Sequence, residues 1–496
     1  MENSANLEAY FELVRQGIIG NDAEFNSPYG KQKIIYADWI ASGRLFGPIE
    51  NRLSKIIGPY VANTHTETTF TGSSMTHAYH HAIQFIKKHV GAYESDVLIS
   101  TGSGMTGVVN KLQRMLGLRI HERFTERIDL QDDERPIVFI THMEHHSNQT
   151  TWLETIADVE IINPTEDGLV DLNHFSELLE KYKNRPLKIA AITSCSNVTG
   201  VFAPYFEIAR MIHDYNGLCF VDFACSAPYI DIVMRPEDPK EHLDAIYFSP
   251  HKFLGGPGSS GILVFDPKLY TNKIPDNPGG GTVEWTNPWG EHRYIDDIES
   301  REDGGTPGFM QTIRAAFSMQ LKEEIGTKAI LDREHELIDL VWDKLKSTPK
   351  LHLLAENIKD RLAVLSFYAE DIHYNLIVKL LNDRFGVQVR GGCSCAGTYG
   401  HYLLHVRPEF SKMITEKIDT GDRSMKPGWV RFSLHPSMTN EEALNAVHAI
   451  QQVIEHADEW VNDYEYDGTK NEFFHKSGSN EITTCVSSWF IPLTGL

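Results

Sequence analysis

Cysteine is scarce in this chain. Six residues, Cys195, Cys219, Cys225, Cys393, Cys395 and Cys485, are spread over 496 positions. That is too few to staple a fold of this length, which excludes a disulfide scaffold of the secreted kind. Long apolar runs are missing too, and no stretch approaches the roughly eighteen residues of a spanning helix. The opening MENSANLEAYFELVRQ is polar and amphipathic and lacks the apolar core of a signal peptide. A cytoplasmic location without a membrane partner is therefore expected. Positive charge is in deficit: 46 Lys and Arg stand against 68 Asp and Glu, a formal net charge of −22. Such a surface repels phosphate backbones, so nucleic acid is not an expected partner, although a local basic pocket could still hold a phosphate or carboxylate. No internal repeat is visible, and ERFTERIDLQDDERP reads as a solvated loop.

What remains is ordinary globular material, 41% hydrophobic and 23% charged. The length exceeds what one hydrophobic core usually supports, so two domains are expected. From about 96 to 265, short β-rich runs alternate with amphipathic helical patterns. DVLIS, PIVFI, VEIIN, KIAAIT, LCFVDF, DAIYFS and GILVFD are the runs; LNHFSELLEKYK and YFEIARMIHDYNG lie between. This is the grammar of an α/β fold with a mostly parallel sheet flanked by helices. A turn-rich zone over 271–308 interrupts it. Long helical patterns, the alternating runs LAVLSFYA and VQVRGG, and a last helix NEEALNAVHAIQQVIEHADEWVND then read as a smaller α+β domain.

The most informative string is DAIYFSPHKFLGGPGSSGILVFD. It sets Lys252 just past a strand end, and in a doubly wound sheet ligands bind at the carboxyl ends of the strands. A desolvated lysine there sheds its proton and can form an imine with an aldehyde. A lone lysine in a glycine-rich loop is otherwise a surface residue. The string resembles the cofactor-lysine motif of class V aminotransferases, a branch of the fold type I pyridoxal-5′-phosphate (PLP) enzymes. Further segments resemble that family in the same order, over roughly 35–450.

The resemblance implies a PLP Schiff base on Lys252. In LCFVDFACSAPY, Asp222 takes the place of the carboxylate that pairs with the pyridine nitrogen and so keeps the ring an electron sink; alone, it could equally cap a helix. In THMEHHSNQTTW, His145 would stack on the ring and shuttle protons. In TSCSNVTG, Asn197 would contact the phenolic oxygen or the substrate carboxylate. ISTGSGMTGVVN spells Gly-x-Gly-x-x-Gly, but no acidic residue ends the next strand as a dinucleotide site requires. The resemblance instead puts one phosphate on Gly104, Met105 and Thr106, with Ser249 and His251. Cys225 stands where the family usually has a Gln touching the cofactor oxygen. In NPGGGTVEW, Thr282 would reach a partner subunit's phosphate, implying a homodimer. YADWIASG and REDGGTPG take the places of segments that border the substrate.

The family resemblance divides the chain into an N-terminal helical segment over 1–34 packing on the small domain, a large PLP-binding domain over 35–300, a small domain over 301–465 and a polar tail over 466–496. GVQVRGGCSCAGTYG resembles the cysteine desulfurase and selenocysteine lyase motif Arg-x-Gly-His-His-Cys-Ala. Aligned on Arg390 and Ala396, the nucleophile falls on Cys395, with Arg390 and Arg431 as substrate-carboxylate anchors. Cysteine would become alanine, leaving a persulfide on Cys395 for an acceptor protein, with Lys252 and His145 as the other catalytic groups. Departures from the pattern lie around the substrate: Cys393 and Ser394 replace the paired His, and the stretch before Arg431 is long. Cys395 as inert packing remains open, and with it transamination, epimerisation or β-elimination on another amino acid. A non-enzymatic scaffold and a nicotinamide oxidoreductase are weaker alternatives. No metal is expected, because Cys393 and Cys395 have no second ligand cluster at suitable spacing.

Overall fold

A computed structural model describes residues 6–125, 127–478 and 481–493. The large unit is built on seven strands: β1 (Val97–Thr101), β2 (Ile137–Thr141), β3 (Asp158–Ile162), β4 (Lys188–Thr193), β5 (Leu218–Asp222), β6 (Ala245–Phe248) and β7 (Gly261–Phe265). Their order across the sheet is β1-β7-β6-β5-β4-β2-β3. The run from β6 to β3 is parallel, and β7 is antiparallel to both neighbours. Central strands such as Lys188–Thr193 are buried along their whole length, as parallel strands covered on both faces must be. This is the fold type I arrangement expected from the sequence.

Helix α1 (Phe70–His89) and helix α2 (Phe309–Ile325) pack against each other beside this sheet. The next helix, α3 (Thr327–Lys346), instead packs against α4 (Asn440–Trp460). The change of packing partner falls at Gly326, whose φ of +88° suits a residue without Cβ. The small unit carries an antiparallel sheet of Leu351–Leu353, Val364–Ala369, Trp429–Ser433 and Arg390–Gly392, in that spatial order.

Two N-terminal pieces also join the small unit. Ile35–Tyr36 pairs in parallel with Val387–Gln388. Helix Leu7–Gln16 is fixed by Arg15, which donates to Glu442 at 2.6 Å and to the Ser437 carbonyl at 3.2 Å. Glu442 also closes the capping box with Thr439 at the start of α4.

The region from 466 is not simply a polar tail. It completes a hairpin, Tyr464–Asp467 with Glu472–His475. Asn471 Nδ2 donates to Tyr374 Oη at 2.6 Å, and Tyr464 Oη donates to Asp383 at 3.0 Å. Beyond it, helix Glu481–Trp489 leaves Ile482 and Trp489 exposed. No helix among the described residues is long and apolar enough to cross a membrane.

Candidate active site

Four of the parallel strands, β2, β4, β5 and β6, together with β1, deliver functional residues at their carboxyl ends. Gly104, Met105 and Thr106 follow β1, His145 follows β2, and Asn197 follows β4. Asp222 ends β5, while Ser249, His251 and Lys252 follow β6. A cavity of about 510 Å³ opens there, lined by all of these residues. From the small unit, Arg390, Cys395 and Arg431 complete its wall, and Cys225 lines it as well. Thr282 does not line it. Its hydroxyl is buried in its own loop, donating to the Gly279 carbonyl at 2.7 Å.

The phosphate-sized end is formed by a helix start. Met105–Met115 begins after Gly104 without a side-chain cap, so its first turn offers N–H groups to an anion. Met105 N–H donates to Ser249 Oγ at 2.9 Å, tying this turn to the loop of Lys252. His251 Nδ1 lies 3.0 Å from the Ser103 carbonyl, and the Thr106 and Ser147 hydroxyls pair at 2.7 Å. Space is tight. A Cβ on Gly104 would lie 3.1 Å from both Ser249 Oγ and His251 Cε1, and one on Gly261 would come within 2.3 Å of the Gly104 carbonyl.

The deep end carries the titratable groups. Asp222 is buried, its Oδ1 accepting from Ala224 N–H at 2.8 Å. Burial pushes its carboxyl up to about 6, against the pull of that N–H and of Lys252. Burial likewise holds the Lys252 ammonium below its ordinary value, with Cys225 and Asp222 working the other way. His145 caps helix His146–Leu153, its Nδ1 accepting from Ser147 N–H at 3.0 Å. The neutral ring therefore carries its proton on Nε2. Burial, then Lys252, lowers His145 to about 3, so it stays neutral.

Two residues that sequence reasoning passed over organise this wall. Glu144 is fully enclosed, accepting from Thr141 Oγ1 at 2.6 Å, Thr193 N–H at 2.9 Å and Asn148 Nδ2 at 2.8 Å. It ties the ends of β2 and β4 together and positions His145 beside it. Asp38 takes both expected anchors, accepting from Arg390 Nε at 2.9 Å and Arg431 Nη2 at 2.8 Å. The segment YADWIASG marked the neighbourhood, but nothing in it singled out this carboxylate.

The loop of Cys395 is held in an uncommon conformation. Ser394 and Cys395 have φ of +50° and +56°, a left-handed region that costs a non-glycine residue about 1 kcal/mol or more. Hydrogen bonds offset that cost: Asn197 Nδ2 donates to the Ser394 carbonyl at 2.8 Å, and His146 N–H to the Cys395 carbonyl at 2.7 Å. Cys395 is exposed toward the cavity, whereas Cys195 and Cys225 are buried with their sulfurs 3.9 Å apart. Asn197 Oδ1 and Arg431 Nε are buried without a hydrogen-bond partner among the described residues. Orphaned polar atoms in one cavity wall call for a polar occupant.

The sequence model of the family described as Aminotransferase class-V matches residues 35–445. The chain is 27% identical to a probable cysteine desulfurase of Staphylococcus epidermidis over 369 residues, covering 74% of this chain and 84% of that protein. It is 28% identical to another of Halalkalibacterium halodurans over 372 residues, covering 73% and 84%. The fold is similar to that of a cysteine desulfurase from Thermococcus onnurineus, with a TM-score of 0.70 and 21% identity over 90% of this chain and 98% of that one. An Escherichia coli cysteine desulfurase in an S-sulfonic acid form gives a TM-score of 0.70 at 18% identity, with the same coverage.

Proposed function

The chain belongs to the aminotransferase class-V family, and from that premise we propose that it is a PLP-dependent cysteine desulfurase. One observation carries the proposal: Cys395 lines the same cavity as Lys252, Asp222, Arg390 and Arg431. The residues fit the cofactor. The uncapped helix start at Gly104, with Ser249 and His251, suits a phosphate monoester. Asp222 would face the ring nitrogen, His145 the ring face, and Asn197 and Cys225 its oxygen side. When bound, the pyridoxal ring supplies a sink for the electron pair left at the substrate Cα.

The chain's own groups do the rest. Arg390 and Arg431 bind the substrate carboxylate, which exchanges places with Asp38 on one or both guanidinium groups. Lys252, desolvated and therefore readily neutral, takes the Cα proton. Asp222, already anionic at neutral pH, holds a proton at the ring nitrogen by charge attraction. Cys395 then attacks the substrate sulfur. A sulfur–sulfur bond forms and the Cβ–sulfur bond breaks with its electron pair going to carbon. Cβ takes up the proton released from the Cys395 thiol, Lys252 returns the Cα proton, and alanine results. The product on the chain is a persulfide, whose terminal sulfur passes to an acceptor.

The resemblance of NPGGGTVEW to the family's interface loop supports homodimerisation, and composition supports a cytoplasmic location. The direct test is product analysis with cysteine as sole substrate. Alanine and sulfane sulfur in equal amounts support the proposal. Pyruvate and ammonia in their place, or turnover only with other amino acids, would overturn it.

A further inference from the structure

At the amino-terminal ends of the central strands β5 and β6, away from Lys252, His213, His242 and Asp244 converge. His213 ends helix Tyr205–His213, His242 follows the turn Pro239–Glu241, and Asp244 immediately precedes β6. None of them lines the cavity of Lys252. Among the described residues this is the one cluster of at least three His, Cys, Asp or Glu side chains that could hold a metal ion, with ligand atoms within 4.8 Å of one another.

Hydrogen-bond accounting shows why the arrangement calls for a cation. His213 Nδ1 lies 2.6 Å from the Lys240 carbonyl, and His242 Nδ1 lies 2.5 Å from the Pro239 carbonyl. A carbonyl only accepts, so each Nδ1 carries the ring's proton, and a neutral ring then bears a lone pair on Nε2. Those lone pairs point at anionic oxygens: His213 Nε2 is 3.0 Å from Asp244 Oδ2, and His242 Nε2 is 3.2 Å from Oδ1. Lone pair against lone pair is repulsive unless a positive centre lies between. Protons could supply it only by making both rings imidazolium, and the rings are stacked 4.1 Å apart and 4° from parallel. Two like charges face to face would then share one carboxylate.

A single divalent ion relieves this once the two rings turn out of their parallel stack, because each Nε2 lone pair lies in its own ring plane and parallel planes do not meet. The ion accepts both Nε2 lone pairs and one carboxylate oxygen while each Nδ1–H keeps its carbonyl, which is the outer-shell pattern that fixes metal-binding histidines. The spacing agrees. Ligands about 2.0–2.2 Å from zinc, at angles between square and tetrahedral, lie roughly 2.9–3.5 Å apart. Asp244 is itself anchored, its Oδ2 accepting from Cys219 N–H at 2.8 Å. The side chain of His242 is 32% exposed, which leaves solvent a path to the remaining coordination positions. Arg235, the nearby cation, is occupied by Asp96 and Asp266.

We propose that His213, His242 and Asp244 form a binding site for a divalent transition-metal ion, with zinc the ion that two imidazoles, one carboxylate and water suit. The site would join the end of one helix to the root of the strand that leads to Ser249 and Lys252. Sequence reading passed over it because the ligands lie on separate elements, outside any contiguous motif.

The test is zinc binding to the full-length protein, compared with His213→Gln and His242→Gln. The wild type is expected to bind one Zn²⁺ per chain with Kd below about 1 µM at this site, and to unfold at a higher temperature when zinc is added. Each variant should weaken that binding at least about tenfold and lose the thermal shift. Zinc held at the exposed thiols would be the same in all three proteins. Equal stoichiometry, affinity and thermal shift in wild type and both variants would overturn the proposal. If a variant does not fold, anomalous diffraction from wild-type crystals grown with Zn²⁺ decides: a peak among the three side chains supports the site, and none there refutes it.

Discussion

At the scale of single residues, Asp222 and Lys252 are tuned by the same burial in opposite senses. Asp222 pays for its position with a carboxyl raised from 3.8 to about 6. Its folded form therefore holds a proton more readily than its unfolded form. The stability linked to that proton is fully present below about pH 4 and is lost as pH rises through about 6. Asp222→Asn should remove this slope and leave the cofactor-free protein about 2–3 kcal/mol more stable than wild type at pH 8, while PLP retention falls. Urea unfolding at pH 4, 6 and 8, with cofactor release measured alongside, checks both halves. A variant as unstable as wild type at pH 8 would contradict the burial account.

Arginine specificity belongs to the same scale. Arg431 is almost enclosed, and Asp38 bridges it to Arg390. Arg431→Lys loses the planar fork, so KM for cysteine should rise about tenfold or more with a smaller change in kcat. A change confined to kcat would mean the residue does not anchor substrate. Lys252, Asp222 and His145 were legible in the sequence through their motifs' resemblance to the family, and the apolar runs before them place each at or past the carboxyl end of a strand. Asp38 was not legible, because its partners are 352 and 393 residues away. Such a pairing leaves no local pattern.

At the scale of elements, the strands fell where their apolar runs are, KIAAIT matching Lys188–Thr193 residue for residue. VQVRGG read as one run but forms two strands, Val387–Gln388 and Arg390–Gly392, which pair with different partners. The hairpin over 464–475 was read past because its residues are polar and aromatic, and its hold on Tyr374–Phe385 is largely by hydrogen bonds. Two expectations follow from element contacts. Gly261→Ala would drive a methyl into the Gly104 carbonyl, displacing the phosphate turn; the chain should fold but lose PLP on gel filtration. Thr439→Ala removes the capping box of α4 and should cost about 1 kcal/mol, read as a lower Tm with cofactor binding unchanged.

At the scale of the whole molecule, the cavity is a joint product of two units. The large unit supplies the lysine, the carboxylate and the phosphate turn, and the small unit supplies Arg390, Cys395 and Arg431. The fold was readable from alternation and order along the chain. The reaction was less so, because it depends on a loop whose left-handed residues, Ser394 and Cys395, owe their placement to Asn197 and His146 from the other unit. The central claim is that Cys395 receives sulfur from cysteine. It is tested by incubating the PLP-loaded protein with cysteine under non-reducing conditions and analysing its peptides by mass spectrometry. The proposed mechanism predicts one added sulfur atom on the peptide containing Cys395, with alanine formed in equal amount and neither product in Cys395→Ser. An unmodified Cys395 peptide, or a Cys395→Ser variant that still releases alanine, would contradict it.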